Sequence, residues 1–536
     1  MEVLVIGSSS QAKICTGRSE LLSYRRLSFC KFQKSVSFLH NKSTRWRNSG
    51  SSLSFTLNAV QSSPVRSDSL TRRGSSTKPK SLDGVRLFVG LPLDAVSVCN
   101  TVNHARAIAA GLRALKLLGV EGVELPVWWG IVEKESMGKY DWSGYLALAE
   151  MVQNAGLKLH MSLNFHGIKQ LKIPLPEWVS QIGDSDPSIF HADRSGDHYR
   201  ECLSLAVDEI PVLNGKTPIQ VYQEFCESFK ASFSHFLGST ITGVTMGLGP
   251  DGELRYPSQR HLARNSKILG VGEFQCYDKN MLNLLKQQAE ATGNPLWGLG
   301  GPHDAPSYDQ FPNSSNFFND HGGSWETPYG DFFLSWYSSE LLSHGDRLLS
   351  LASTTFDEAA VTIHGKIPLL YSWYKTRSHP LELTAGFYNT VNRDGYEAVA
   401  EMFARNSSKI ILPGMDLSDK HQPQKSLSSP ESILAQIRTV CRKHGVEISG
   451  QNLMVSKSSQ GFEQIKKNIS GETKVDLFTY QRMGADFFSP EHFHSFTHFV
   501  RNLNQLELLS DDLPEEEDVA EPVHLNSESK THMQAA

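Results

Sequence analysis

One carboxylic acid, Glu253, stands inside Gly247-Leu-Gly-Pro-Asp-Gly-Glu-Leu-Arg-Tyr-Pro-Ser258, a turn that follows an apolar run. Glycines at 247, 249 and 252 let backbone approach a ligand closely, while Pro250 and Pro257 stiffen the loop that carries the acid. An acid held rigidly at a strand end suits proton donation to a glycosidic oxygen. By residue type alone, a merely structural turn is an equally good reading of the segment.

Positioning such an acid requires a scaffold, and from about residue 84 the chain repeatedly pairs a short apolar run with an amphipathic helical stretch. Arg86–Leu93 reads as a buried strand and Ala105–Leu118 as a helix with apolar residues at helical spacing. Val123–Trp129, Leu157–Phe165, Ile241–Leu248, Val361–Tyr371, Ile410–Met415 and Val446–Leu453 read as further strands, each separated by helical pattern. About eight such units fit a (β/α)8 TIM barrel with long βα loops better than an open doubly wound sheet. No G-x-G-x-x-G stands between the first strand and helix to suggest a dinucleotide fold.

The chain is chemically divided. Residues 1–80 hold 14 Lys/Arg, 3 Asp/Glu and 19 Ser, a net charge of +11, whereas the remainder carries −16. A basic, Ser-rich, acid-poor leader before an acidic body has the composition of a plastid transit peptide, with a disordered basic arm or nuclear signal near Thr71–Lys80 as the alternative. The barrel is expected over 84–505, and 506–536, with its run Asp511–Glu521, as an acidic disordered tail. No uncharged apolar run approaches ~18 residues, so no membrane span is expected. The acidic body argues against a nucleic-acid partner. Cys99, Cys202, Cys226, Cys276 and Cys441 are scattered in the body without C-x-x-C, so they read as reduced thiols, and neither a metal nor a cofactor is expected.

The donor-loop wording G-x-G-P-x-G-E-L-R-Y-P-S resembles the proton-donor motif of the plant β-amylases. Further segments resemble the same family in order: Val127–Glu133, Tyr140–Trp142, Ala192–Gly196, Gly272–Lys279, Phe332–Ser338 and Glu382–Asn389. The resemblance implies a barrel that removes maltose from the non-reducing ends of α-1,4-glucans with inversion. That chemistry uses a protonated donor and a base roughly 6.5–9.5 Å apart, with water between. It matches Glu253 to the donor and places Asp416, within Ile411-Leu-Pro-Gly-Met-Asp-Leu-Ser-Asp419, where the family has a glutamate base. It also marks Lys366, Thr384 and Trp129, beside Trp128, as remains of a glucan-binding cleft.

Several positions depart from that pattern. Asp416 is one methylene short, retracting its oxygens by about 1.5 Å, and displacements of this order cost ~10²-fold in rate. Pro126 stands in place of a sugar-binding Asp, Asn164 in place of a His, Tyr371 and Ser372 in place of His and Trp, and Ser456 in place of an Arg. His166 would replace the missing His only if the strand end were shifted. The Gly-rich lid is shortened to Gly167–Lys172. Four losses of ~2–3 kcal/mol each would remove about 8–12 kcal/mol of transition-state stabilisation, and half of that makes turnover negligible. The expectation is therefore a catalytically inactive regulator of plastid starch metabolism in the stroma, binding glucan weakly or docking on an active starch-degrading enzyme. The alternatives are a slow maltohydrolase using Glu253 as acid and Asp416 as base, and a nuclear regulatory protein.

Overall fold

A computed structural model of the chain describes residues 84–259, 269–453, 459–470 and 475–504. The expectations for residues 1–80, for 506–536 and for Ser456 lie outside them.

Eight strands close into a parallel barrel in chain order: β1 (Arg86–Gly90), β2 (Gly122–Trp128), β3 (Lys158–Asn164), β4 (Ile241–Met246), β5 (Thr362–Lys366), β6 (Lys409–Leu412), β7 (Ile448–Gln451) and β8 (Val475–Tyr480). β8 pairs with β1 through Arg86↔Leu477 to Val89↔Tyr480, which leaves no sheet edge. Each strand is followed by a helix of the outer layer: α1 (Ala105–Leu118), α2 (Ser143–Asn154), α3 (Pro218–Ser232), α4 (Pro328–Phe356), α5 (Glu397–Arg405), α6 (Pro430–His444), α7 (Ser459–Ile469) and α8 (Pro490–Asn504). The (β/α)8 fold read from the sequence is the fold observed. Among the described helices none is long and apolar enough to cross a membrane.

Local chemistry explains the boundaries. α1 buries Ile108, Gly111, Leu112 and Leu115, one face of a 3.6-residue period, and stops at Gly119, whose φ of 87° lets its N–H reach the carbonyls of Leu115 and Lys116. α3 opens with a reciprocal Thr217–Gln220 capping box and Pro218 in its first turn. Strands read as running to Leu93 and Tyr371 end at Gly90 and Lys366, just before Leu91-Pro92 and Ile367-Pro368, where proline has no N–H for the ladder. Two features absent from the sequence reading are β8 and an antiparallel hairpin of 190–192 with 198–203 in the β3–α3 connection.

The barrel interior is unusually polar. Glu124, His160, Thr245, Ser449, Gln451 and Thr479, with Ile411 and Leu477, line a cavity of ≈ 10 Å³, close to the smallest volume that holds one water. His160 bonds the Thr245 hydroxyl at 2.7 Å, and its ring lies 4.6 Å from that of His364. Glu124 accepts from Ser162 at 2.7 Å and from Gln481, and Arg482 beside it helps hold its carboxyl below the usual carboxylate range despite burial.

Candidate active site at the barrel mouth

The C-terminal ends of the strands carry the sequence-predicted residues, as expected where a (β/α)8 barrel presents its chemistry. Glu253 lies beyond β4 in a loop that folds back on β5. Leu254 N–H donates to the Lys366 carbonyl at 2.8 Å, and Glu253 and Lys366 form a parallel bridge. Gly249, at φ 149°, makes the turn, and a Cβ there would lie 2.8 Å from the Glu253 carbonyl oxygen.

The structure brings Glu253 and Lys366 together directly. One Glu253 oxygen is 3.1 Å from Lys366 Nζ and the other accepts from Arg255 Nε at 3.0 Å, with the Glu253 side chain 14% exposed. Arg255 also reaches Asp251 at 2.5 Å. Both oxygens of the matched donor are thus occupied by cations, whereas a general acid must present a proton to the leaving oxygen.

Asp416 sits beyond β6, half-buried, and its Oδ1 accepts the Leu453 N–H at 2.6 Å. Its flanks are apolar: Ile411, Leu412 and Met415 are buried. One oxygen of this shorter carboxylate is thus turned to the backbone beyond β7.

Two expected cleft residues are placed otherwise. Trp129 is a correction: it is fully buried, leaves the strand as the start of a short helix, and packs among Phe165, Trp178 and Tyr222 while its Nε1 donates to Glu133 at 2.7 Å. The side chain of Trp128, not Trp129, shares the inward face of β2 with Glu124 and Pro126, because successive strand residues alternate. Thr384 is also fully buried, within the short helix Pro380–Ala385, and its hydroxyl donates toward the Val271 carbonyl at 2.8 Å and the Leu381 carbonyl at 3.2 Å. Its hydrogen is committed to backbone.

The departures have local explanations. The Glu124 carbonyl accepts from Leu91 N, so residues 124 and 126 turn their backbone toward β1. Because β1 ends at Gly90, Pro126 occupies the position where a missing N–H costs no ladder bond. Trp128 pairs with Asn164 without a shift, so Asn164, not His166, ends β3. The shortened segment after it closes on itself through an Ile168↔Ile173 bridge and a Gly167 N–H bond to the Glu201 carbonyl at 2.7 Å.

Sequence reasoning missed the groups that brace the donor loop. His344 of α4 bonds Asp208 at 2.7 Å through Nδ1 and reaches the Leu248 carbonyl at 3.2 Å through Nε2, and Arg347 joins the same Asp208 oxygen at 2.7 Å. It also missed the polar inner face of β3, although His160, Ser162 and Asn164 alternate with Leu159, Met161 and Leu163, a pattern foreign to a strand buried on both faces. Among the described residues, the one group with ligand atoms converging within 4.8 Å as for a metal is Glu397, Glu401 and His444, between α5 and α6, and Glu397 already engages Lys443.

Comparison with known proteins bears on this geometry. The family model described as glycosyl hydrolase family 14 matches residues 88–507. A protein of Arabidopsis thaliana named inactive beta-amylase 9 is 59% identical over 97% of this chain and 96% of its own length. Beta-amylase 1, chloroplastic, of the same plant is 42% identical over 81% of this chain and 78% of its own. Among solved structures, the catalytic domain of β-amylase from Paenibacillus polymyxa superposes with a TM-score of 0.65 at 26% identity, over 78% of this chain and 98% of that one.

Proposed function

This chain belongs to glycosyl hydrolase family 14, as a homologue of an inactive β-amylase, and we propose that its barrel regulates starch breakdown in the plastid stroma without hydrolysing glucan itself. The observation that carries this reading is the engagement of both matched carboxylates. Glu253 is held between Lys366 and Arg255, and Asp416 is bonded to the Leu453 amide. An inverting mechanism needs one of them protonated toward the leaving oxygen and the other bound to a water, whereas here Lys366, Arg255 and the Leu453 amide already engage these oxygens.

The regulatory role consists of weak α-1,4-glucan binding at the mouth or docking on an active starch-degrading enzyme. The plastid setting is supported by the basic, Ser-rich leader and by the chloroplastic name of a 42% identical relative. Co-sedimentation with starch granules, together with the activity of a plastid amylase in the presence and absence of this chain, tests the role. Binding or altered amylase activity is expected; a chain that neither sediments with starch nor changes the amylase contradicts it. The slow-hydrolase reading keeps one supporting observation, a carboxylate at each of the two matched positions.

A further inference from the structure

Trp128 is the aromatic residue that β2 delivers over the barrel axis, yet it is only 2% exposed. Its Nε1 donates to the Leu93 carbonyl at 2.8 Å, which fixes the indole in place. The imidazole of His166 packs against it, ring centroids 5.4 Å apart at 84°. Behind the imidazole lies the donor loop: a Cβ on Gly252 would be 3.7 Å from His166 Cε1 and 3.1 Å from Asn164 Oδ1, so a residue with no side chain makes room for this packing.

His166 is itself 4% exposed, and its Nδ1 is buried with no hydrogen-bond partner among the described residues. Burial pushes its pKa down to about 4, so it is neutral near pH 7; the charged groups around it are Asp251, Glu253 and Arg255 of the donor loop and Lys366 of β5. A buried polar nitrogen without a partner is unfavourable relative to the same nitrogen in water. What holds it inward is the chain itself, since the next residue, Gly167, is tied to Glu201 and the segment beyond closes at Ile168↔Ile173. The imidazole therefore sits in a position that packing enforces and hydrogen bonding does not reward.

Building on the glucan reading above, we propose that His166 is a removable cover over Trp128, and that an α-1,4-glucan stacks on the indole only when the imidazole swings out of the mouth. A binding-competent state populated at a fraction f weakens apparent affinity by that factor. The weak glucan affinity of this chain is then a property of its cover as well as of its lost polar contacts.

The test is titration of the full chain with maltoheptaose, read by calorimetry and tryptophan fluorescence. His166→Ala is expected to bind about tenfold more tightly or better, the gain for an open fraction of about one tenth or less. His166→Asn, which shortens the cover, gives the same direction of change if the alanine variant does not fold. His166→Phe keeps the cover and stays near the parent affinity. Replacing Trp128 by Ala in the His166→Ala background removes the gain. If the parent binds and neither shortened variant binds more tightly, the cover is wrong and the glucan reading stands. If the gain persists without Trp128, the platform is wrong. If no variant binds saturably, both the cover and the glucan reading fail.

Discussion

The donor side and the base side of the barrel mouth have diverged unequally from what catalysis needs. On the donor side, Gly247–Ser258 is tied to several other parts of the fold: Gly247 N–H to Leu163, Leu254 N–H to Lys366, Tyr256 N–H to Ala385, and the Tyr256 hydroxyl to the Tyr337 carbonyl at 3.0 Å, with the two tyrosine rings stacked at 3.9 Å. His344 secures Leu248 from below. On the base side, the Met415 N–H bonds Gln451 and Asp416 accepts from Leu453, while the side chains ahead of Asp416 are apolar. The donor segment is a structural member of the barrel, so its survival carries no implication of catalysis. The base segment is tied down as well, the Met415 and Leu417 carbonyls accepting from Asn468 and Asp419 accepting from Ser429 and the Glu431 N–H, yet there the catalytic pattern has changed.

This contrast can be broken most forcefully at its brace. Asp208→Ala leaves Arg347 and the buried His344 without their carboxylate, and a loss of about 3–5 kcal/mol is expected, measured by urea unfolding. Trp129→Ala should cost about 3–5 kcal/mol as a buried aromatic truncation while leaving maltoheptaose affinity unchanged; a specific loss of glucan binding with unaltered stability would return Trp129 to the cleft.

Acid titration sharpens the comparison at intermediate size. Burial lowers the pKa of His160 to about 4, of His166 to about 4 and of His191 to about 3. Their folded values lie below the unfolded value near 6.5, so their neutral-state contribution is complete above about pH 6.5 and is lost as pH falls toward 4. Asp278, pushed up to about 7 by burial, works in the opposite sense and stabilises less as pH rises from about 4 to 7. The unfolding midpoint should drop between pH 6.5 and 4, and less so in His160→Gln; an equal drop in that variant would remove the barrel-interior histidine from the explanation.

The smallest effect concerns the base itself. Asp416→Glu moves the carboxylate away from the Leu453 amide, so a stability change of about 1 kcal/mol is expected and no return of maltose release. Substantial release from that single variant would mean that the other departures matter little.

Much of the scaffold was legible in the sequence because its signals are local. α1 was read to the residue from helical spacing, and the strands were misjudged mainly where Pro92 and Pro368 follow them. β8 was less visible because Asp476 and Thr479 interrupt a run of only six residues, and the hairpin of 190–203 is polar along most of its length. At the site, types and positions were legible but engagements were not. The pairing of Glu253 with Lys366 joins distant parts of the chain, the burial of Trp129 away from the mouth depends on where β2 ends, and the commitment of the Thr384 hydroxyl to Val271 is a backbone contact with no sequence signature.

Held by Lys366, Arg255 and the Leu453 amide, the two matched carboxylates no longer act as an acid and a base. Maltose release from soluble starch by the purified chain, measured beside Glu253→Gln, tests this most directly. No release above that of the variant is the predicted result; release that Glu253→Gln abolishes would contradict it and establish a hydrolase with an aspartate base.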